Sequence, residues 1–176
     1  MDSSYLLVEF SSIAIGYKEV NFIILNYPVE LFMMKNICPG HILFIFKGGD
    51  HDVLEIKKYL TEKNISTIPV LNIHEDIMKR INTADKSLKI SSLMICEFKN
   101  SISAIKASDL CLKESNISLV KIHFQIGLFG KGITILSGLL SGLENSKKII
   151  LDNFSNRDII ALEIIENPVG ELIKCI

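Results

Sequence analysis

Four cysteines, Cys38, Cys96, Cys111 and Cys175, are the residues with the widest chemical range in this chain. None belongs to a C-x-x-C pair, so neither a disulfide framework nor a zinc or ferredoxin-type site within one chain is indicated. A metal would need ligands from more than one copy. Cys38 stands in the turn sequence Ile37-Cys38-Pro39-Gly40. Pro39 biases the residue before it toward extended backbone, and a turn tip offers few neighbours to bury a thiol. On these grounds Cys38 is either a metal ligand or an ordinary loop thiol. Cys96 falls in an apolar run and Cys111 in a helical pattern, which predicts two buried small hydrophobes, whereas Cys175 is expected to be exposed. The histidines, at 41, 51, 74 and 123, share no ligand spacing. Gly127-Leu128-Phe129-Gly130-Lys131-Gly132 looks like a phosphate loop. It precedes a strand-like run and lacks a Lys-Ser/Thr ending, so it reads as a hairpin tip. No serine sits in a Gly-x-Ser-x-Gly elbow and no nucleophile, base and acid can be assembled, so the chain reads as a non-enzyme.

The elements that position these residues occur twice. An offset of 88 sets Leu6 to Phe10 on Met94 to Phe98, Lys18 on Lys106, and Val29-Glu30-Leu31 on Ile117-Ser118-Leu119. After a two-residue insertion an offset of 90 sets Leu43-Phe44-Ile45 on Ile133-Thr134-Ile135, Gly48 on Gly138, and Lys57-Lys58 on Lys147-Lys148. Each copy opens with a short apolar run, Tyr5 to Phe10 or Leu93 to Phe98, followed by a helix cap, Ser12 or Asn100. Ile13, Tyr17, Val20 and Ile24 then share one face of a helix, which Pro28 ends. A hairpin follows, Val29 to Lys35 and Ile42 to Lys47, with its counterpart in Ile117 to His123 and Ile133 to Ser137. Asp50 and Ser141 are the expected caps of a second helix, with Val53, Ile56 and Leu60 inward. A last strand closes each copy, Ile65 to Leu71 or Asp158 to Ile165. The fold class is α+β: two tandem β-α-β-β-α-β units, 1–75 and 88–176, with a short helix and linker over 76–87.

Composition narrows the function classes. The 176 residues are 48% hydrophobic and 22% charged, with a net charge of −1. That balance lacks the basic footprint of a nucleic-acid or anionic-membrane binder. A mean hydropathy of +0.35 suggests a membrane protein, yet no stretch approaches about 20 uncharged apolar residues, and Met1-Asp2-Ser3-Ser4 shows no basic leader. A soluble cytoplasmic protein with much apolar surface to cover is expected, and oligomerisation is the usual cover.

Leu7-Val8-Glu9, Ser12-Ile13-Ala14-Ile15-Gly16, Val29-Glu30-Leu31, Ile37-Cys38-Pro39-Gly40 and Gly48-Gly49-Asp50 together resemble a bacterial microcompartment shell domain. Two such domains in one chain resemble the tandem-domain shell proteins, whose fold is ferredoxin-like and whose trimers are pseudohexameric tiles. The match runs from about Tyr5 to Pro168. Within that class the hairpin tip is most similar to the iron–sulfur branch associated with propanediol utilisation. The resemblance implies a homotrimer in a microcompartment shell, packed with other shell proteins and serving an encapsulated redox enzyme, with no nucleic acid and no membrane. It implies one 4Fe–4S cluster per trimer at the threefold axis, for electron transfer across the shell. Cys38 would be the metal ligand, and Asn36, Ile37, Pro39 and Gly40 the pore rim. Three such thiolates can hold three irons of the cube and leave the fourth open. Lys113 matches the lysine at which tiles meet edge to edge. Leu25 replaces that lysine in the first copy, and Asn167 stands where an arginine often follows the final strand. A tile with an open or gated metabolite pore and a stand-alone small-molecule-binding regulatory protein remain the alternatives.

Overall fold

A computed structural model describes residues 4–124 and 130–176 and divides the chain into two compact units, Met1–Ile73 and His74–Ile176. The first contains β1 (Ser4–Phe10), α1 (Ile13–Asn26), β2 (Glu30–Ile37), β3 (His41–Gly48), α2 (Asp50–Thr61) and β4 (Ser66–Val70). The second contains α3 (Asp76–Arg80), β5 (Ser92–Phe98), α4 (Ser101–Glu114), β6 (Ile117–His123), β7 (Gly132–Gly138), α5 (Leu140–Asn153), β8 (Ile159–Glu166) and α6 (Gly170–Lys174). Both sheets are antiparallel, ordered β2-β3-β1-β4 and β6-β7-β5-β8. That is the expected β-α-β-β-α-β unit, twice. The copies share a detail the sequence conceals: the hairpin register shifts between Leu31 and Met33 and again between Leu119 and Lys121, the same place in each repeat.

Alternation of side chains across the strands builds the first unit's core. Leu6, Val8 and Phe10 of β1 and Ile42, Phe44 and Phe46 of β3 meet Val20 and Ile23 of α1 and Val53, Ile56 and Leu60 of α2. Each such side chain contributes about 1.5–3 kcal/mol of transfer free energy. The predicted face of α2 is the buried one. The predicted face of α1 is not, because its buried residues are Gly16, Glu19, Val20 and Ile23, while Ile13, Tyr17 and Ile24 stay exposed. Gly16 causes the rotation, since a Cβ there would lie 2.8 Å from Ile42 Cγ2. The helix sits on the sheet through a position with no side chain. In the second unit hydroxyls join the corresponding elements: Thr134 Oγ1 donates to the Ala104 carbonyl at 2.9 Å and lies 3.0 Å from Ser108 Oγ.

Ser12 and Asn100 cap α1 and α4 as predicted, accepting from the backbone N–H groups of Ile15 and Ser103. Asp50 and Ser141 are not caps. The cap positions are Gly49 and Leu139, neither with a side-chain cap bond, and the Asp50 carboxylate accepts instead from Ser4 Oγ.

The segment 76–87 is not a linker, and the second unit begins before residue 88. Ile77 is fully buried, the His74 N–H donates to Asp109 Oδ1 at 2.7 Å, and the N–H groups of Asn82 and Asp85 donate to the carbonyls of Ile122 and Val120. The physical reason is that β6 is an edge strand whose outer carbonyls need donors, and this segment supplies them. No described helix is long and apolar enough to cross a membrane.

Candidate functional site

The β2–β3 hairpin carries the candidate ligand at its apex. Ile37 pairs with His41 as the last rung, leaving Cys38, Pro39 and Gly40 as a three-residue loop. Gly40 has φ +74°, a left-handed conformation that only glycine adopts cheaply. A Cβ on Gly40 would meet nothing within 4 Å, so this part of the tip stands clear of the body. Ile37 is buried and anchors the hairpin, Cys38 is half-buried, and Asn36, Pro39 and Gly40 are exposed. The five sequence-predicted residues of the tip are therefore contiguous in space, with Cys38 between a buried anchor and an exposed rim.

The other thiols differ. Cys96 and Cys111 are fully buried, and burial pushes both thiols up to about 12. At neutral pH they stay protonated, and both lie in the apolar interior. Cys175 is exposed. Among the described residues no group of three or more His, Cys, Asp or Glu side chains could hold a metal ion. A metal at the tip thus needs Cys38 from several copies, which suits a thiol displayed on a projecting hairpin.

Lys113 lies in the last turn of α4, well away in sequence from the tip, with its ammonium 2.6 Å from Asp109 Oδ2. The glycine-rich stretch 127–132 falls partly outside the described residues. Its described end, Gly132, starts β7. It leads into a strand and not a helix, so the phosphate-loop geometry is absent there.

Sequence reasoning missed one polar pair beside the tip of each hairpin. His41 Nδ1 lies 2.8 Å from Glu9 Oε1, and Lys131 Nζ lies 3.2 Å from Glu97 Oε2. Glu9 opposes Leu43 and Glu97 opposes Ile133, so each glutamate reaches diagonally to the residue two positions earlier in the neighbouring segment, His41 or Lys131. The repeat offsets already set Glu9 on Glu97 and His41 on Lys131, a signal visible only by comparing charge across the two copies.

No protein-family model matches the chain. Among curated proteins it is 23% identical over 167 residues to the bacterial microcompartment shell protein PduT of Citrobacter freundii, covering 91% of this chain and 89% of that one. A solved microcompartment protein from Desulfitobacterium hafniense superposes with a TM-score of 0.83 at 25% identity, over 99% of this chain and 100% of that chain. Two shell proteins of the RMM microcompartment share the fold. The fused permuted hexameric one has a TM-score of 0.63 at 12% identity over 85% of this chain and 82% of that one. The double-ringed trimeric one has 0.64 at 10% over 87% and 84%. In fold throughout, and in sequence over nine-tenths of its length, the chain is similar to the tandem-domain shell proteins of bacterial microcompartments.

Proposed function

We propose that the protein is a structural tile of a bacterial microcompartment shell. Three copies form a pseudohexamer that packs with other shell proteins, and Cys38 from each copy holds one 4Fe–4S cluster at the threefold axis. The observation that carries this reading is the pair of matching β-α-β-β-α-β units with a half-buried cysteine at the apex of only the first hairpin. Similarity to a protein named as a shell protein supports the tile.

The chain's own residues do the positioning. Buried Ile37 and left-handed Gly40 bracket Cys38 and hold its thiol at the tip. Asn36, Pro39 and Gly40 form the exposed rim. When bound, such a cluster supplies a one-electron redox couple, here for exchange between an enclosed redox enzyme and the cytosol. Lys113, exposed at the end of α4, meets the neighbouring tile. The protein's role is structural and not enzymatic.

Iron assay of anaerobically purified protein tests this. The expected preparation is brown, a trimer with about four irons, and Cys38→Ser abolishes the colour and leaves the trimer. Colourless protein after iron–sulfur reconstitution overturns the cluster and favours the same tile with a metabolite pore at its rim. Colour retained in Cys38→Ser moves the ligands elsewhere. A wild-type monomer at micromolar concentration overturns the tile itself.

A further inference from the structure

The segment that covers β6 also leaves a space beside it. Backbone bonds seat Asn82 and Asp85 on the carbonyls of Ile122 and Val120, after which the chain turns away to reach β5 at Ser92. Asp85 holds that turn. Its Oδ1 accepts from the Ser87 N–H at 3.0 Å and from the Ser87 hydroxyl at 2.6 Å, and its Oδ2 pairs with Arg80. On the other side Lys121 donates to the Ile176 carbonyl at 3.1 Å, which ties the residues after α6 to the same strand. Between these two ties lies a cavity of about 330 Å³, lined only by residues of the second unit. Small-molecule sites span roughly 300–1,000 Å³, and this one falls within that range.

The walls are largely aliphatic. Leu88 and Ile90 come from the segment between the cover and β5, Val120 from β6, and Ile173 and Ile176 from α6 and the residues after it. The register of β6 shifts across Val120, and such a bulge takes a side chain out of the strand's alternation. Leu119 and Val120 are therefore both buried although they are consecutive, and Val120 faces the cavity. Water among aliphatic walls finds few hydrogen-bond partners, so hydrocarbon that displaces it gains free energy. Asp85, Lys86 and Lys174 add charge to the lining. The Asp85 carboxylate is matched by Arg80. Lys86 and Lys174 are exposed and have no ion pair among the described residues, so the cavity carries two unmatched positive charges.

We propose that this cavity binds a medium-chain aliphatic carboxylate, with its hydrocarbon among Leu88, Ile90, Val120 and Ile173 and its carboxylate toward Lys86 and Lys174. An aliphatic alcohol fills the same walls but leaves both lysines unmatched. An inorganic anion matches the lysines and leaves the walls wet, and an alkylammonium meets two like charges. Only a ligand with an apolar body and one anionic end uses the whole lining. Because both lysines are at exposed positions, the charged end stays at the rim, where neither partner has to give up its water. The site is built by one unit of one chain, so it stands apart from the tile reading.

Titration of the full chain with sodium octanoate, its Ile, Leu and Val methyl groups labelled for NMR, tests this. Saturable shifts are expected at Ile90, Val120, Ile173 and Ile176 below millimolar concentration, with octanol binding more weakly. Lys86→Glu and Lys174→Glu in one chain weaken octanoate about tenfold and make octylammonium the better ligand. Since both lysines are exposed, the methyl spectrum away from the cavity stays that of the wild type. Leu88→Trp fills the cavity and removes the octanoate shifts. Shifts confined to exposed apolar residues of α1, such as Ile13 and Ile24, mark non-specific adsorption and overturn the proposal. So do octanol bound as tightly as octanoate, an affinity indifferent to the two charge reversals, and a titration without shifts. Octanoate that lowers the native mass while shifting the cavity methyls shows a second copy to be the occupant, and the proposal falls. The expected shifts in a monomeric protein uphold this site and fail the tile reading instead.

Discussion

Thiol reactivity separates the four cysteines by environment. In iron-free protein under native conditions an alkylating reagent is expected to label Cys175 and Cys38 and to spare Cys96 and Cys111, whose thiols burial keeps protonated to about 12. Mass spectrometry of labelled peptides reads the pattern, and loading with iron and sulfide should remove Cys38 from it. Glu19 gives a second test. Burial alone would raise its carboxyl, but hydrogen bonds from Lys63 at 2.7 Å and Tyr59 at 2.9 Å outweigh burial and hold it below the usual carboxylate range. A lowered folded value means stability that is present above the ordinary glutamate range and lost as the pH falls through the folded value. Glu19→Gln is therefore expected to cost about 1 kcal/mol at neutral pH by urea midpoint, and to cost progressively less below about pH 4. An equal loss at both pH values would remove the carboxylate from the account.

At the scale of elements, Gly16 is the point where α1 rests on β3. Gly16→Val drives a branched side chain toward Ile42 and Phe44, 2.8 and 3.1 Å from the first added carbon, and is expected to destabilise by about 1–3 kcal/mol through overpacking. Urea unfolding measures it, and an unchanged midpoint would show that the helix can lift freely. This contact also explains what hydropathy could and could not reveal. Strands, helix order and the Ser12 and Asn100 caps were legible because apolar period and cap chemistry are carried by side chains. The buried stripe of α1 was not, because its contact residue has no side chain to score. Asp50 fits the composition of a cap but lies one residue inside the helix, where Ser4 takes its carboxylate. The linker was misread for a related reason: the segment 76–87 is held to β6 largely by backbone N–H groups, which every sequence possesses. Of the candidate site, the apex position of Cys38 was legible from its turn residues. The polar pairs beside the hairpin tips were not, since they join segments distant in sequence.

For the whole molecule, Lys113 offers a test independent of the threefold contact. If tiles meet edge to edge there, Lys113→Ala should leave the trimer intact by native mass and abolish flat arrays in electron micrographs. Arrays of unchanged order would place the edge elsewhere. Leu25, the repeat counterpart of Lys113, is 75% exposed, so alternate edges of a pseudohexamer would differ in chemistry. In the proposed tile the same divergence would operate at the centre. A ring of six identical single units must display one residue at all six tips, so a cysteine there arrives in sixes. Joining two copies in one chain releases alternate tips from that identity, and the second hairpin, without a cysteine, is free to change length and sequence. Covalent duplication is in this sense a way of breaking symmetry by half: it turns a sixfold choice into a threefold one, and three is the number of thiolates that leaves one corner of a cube unclaimed.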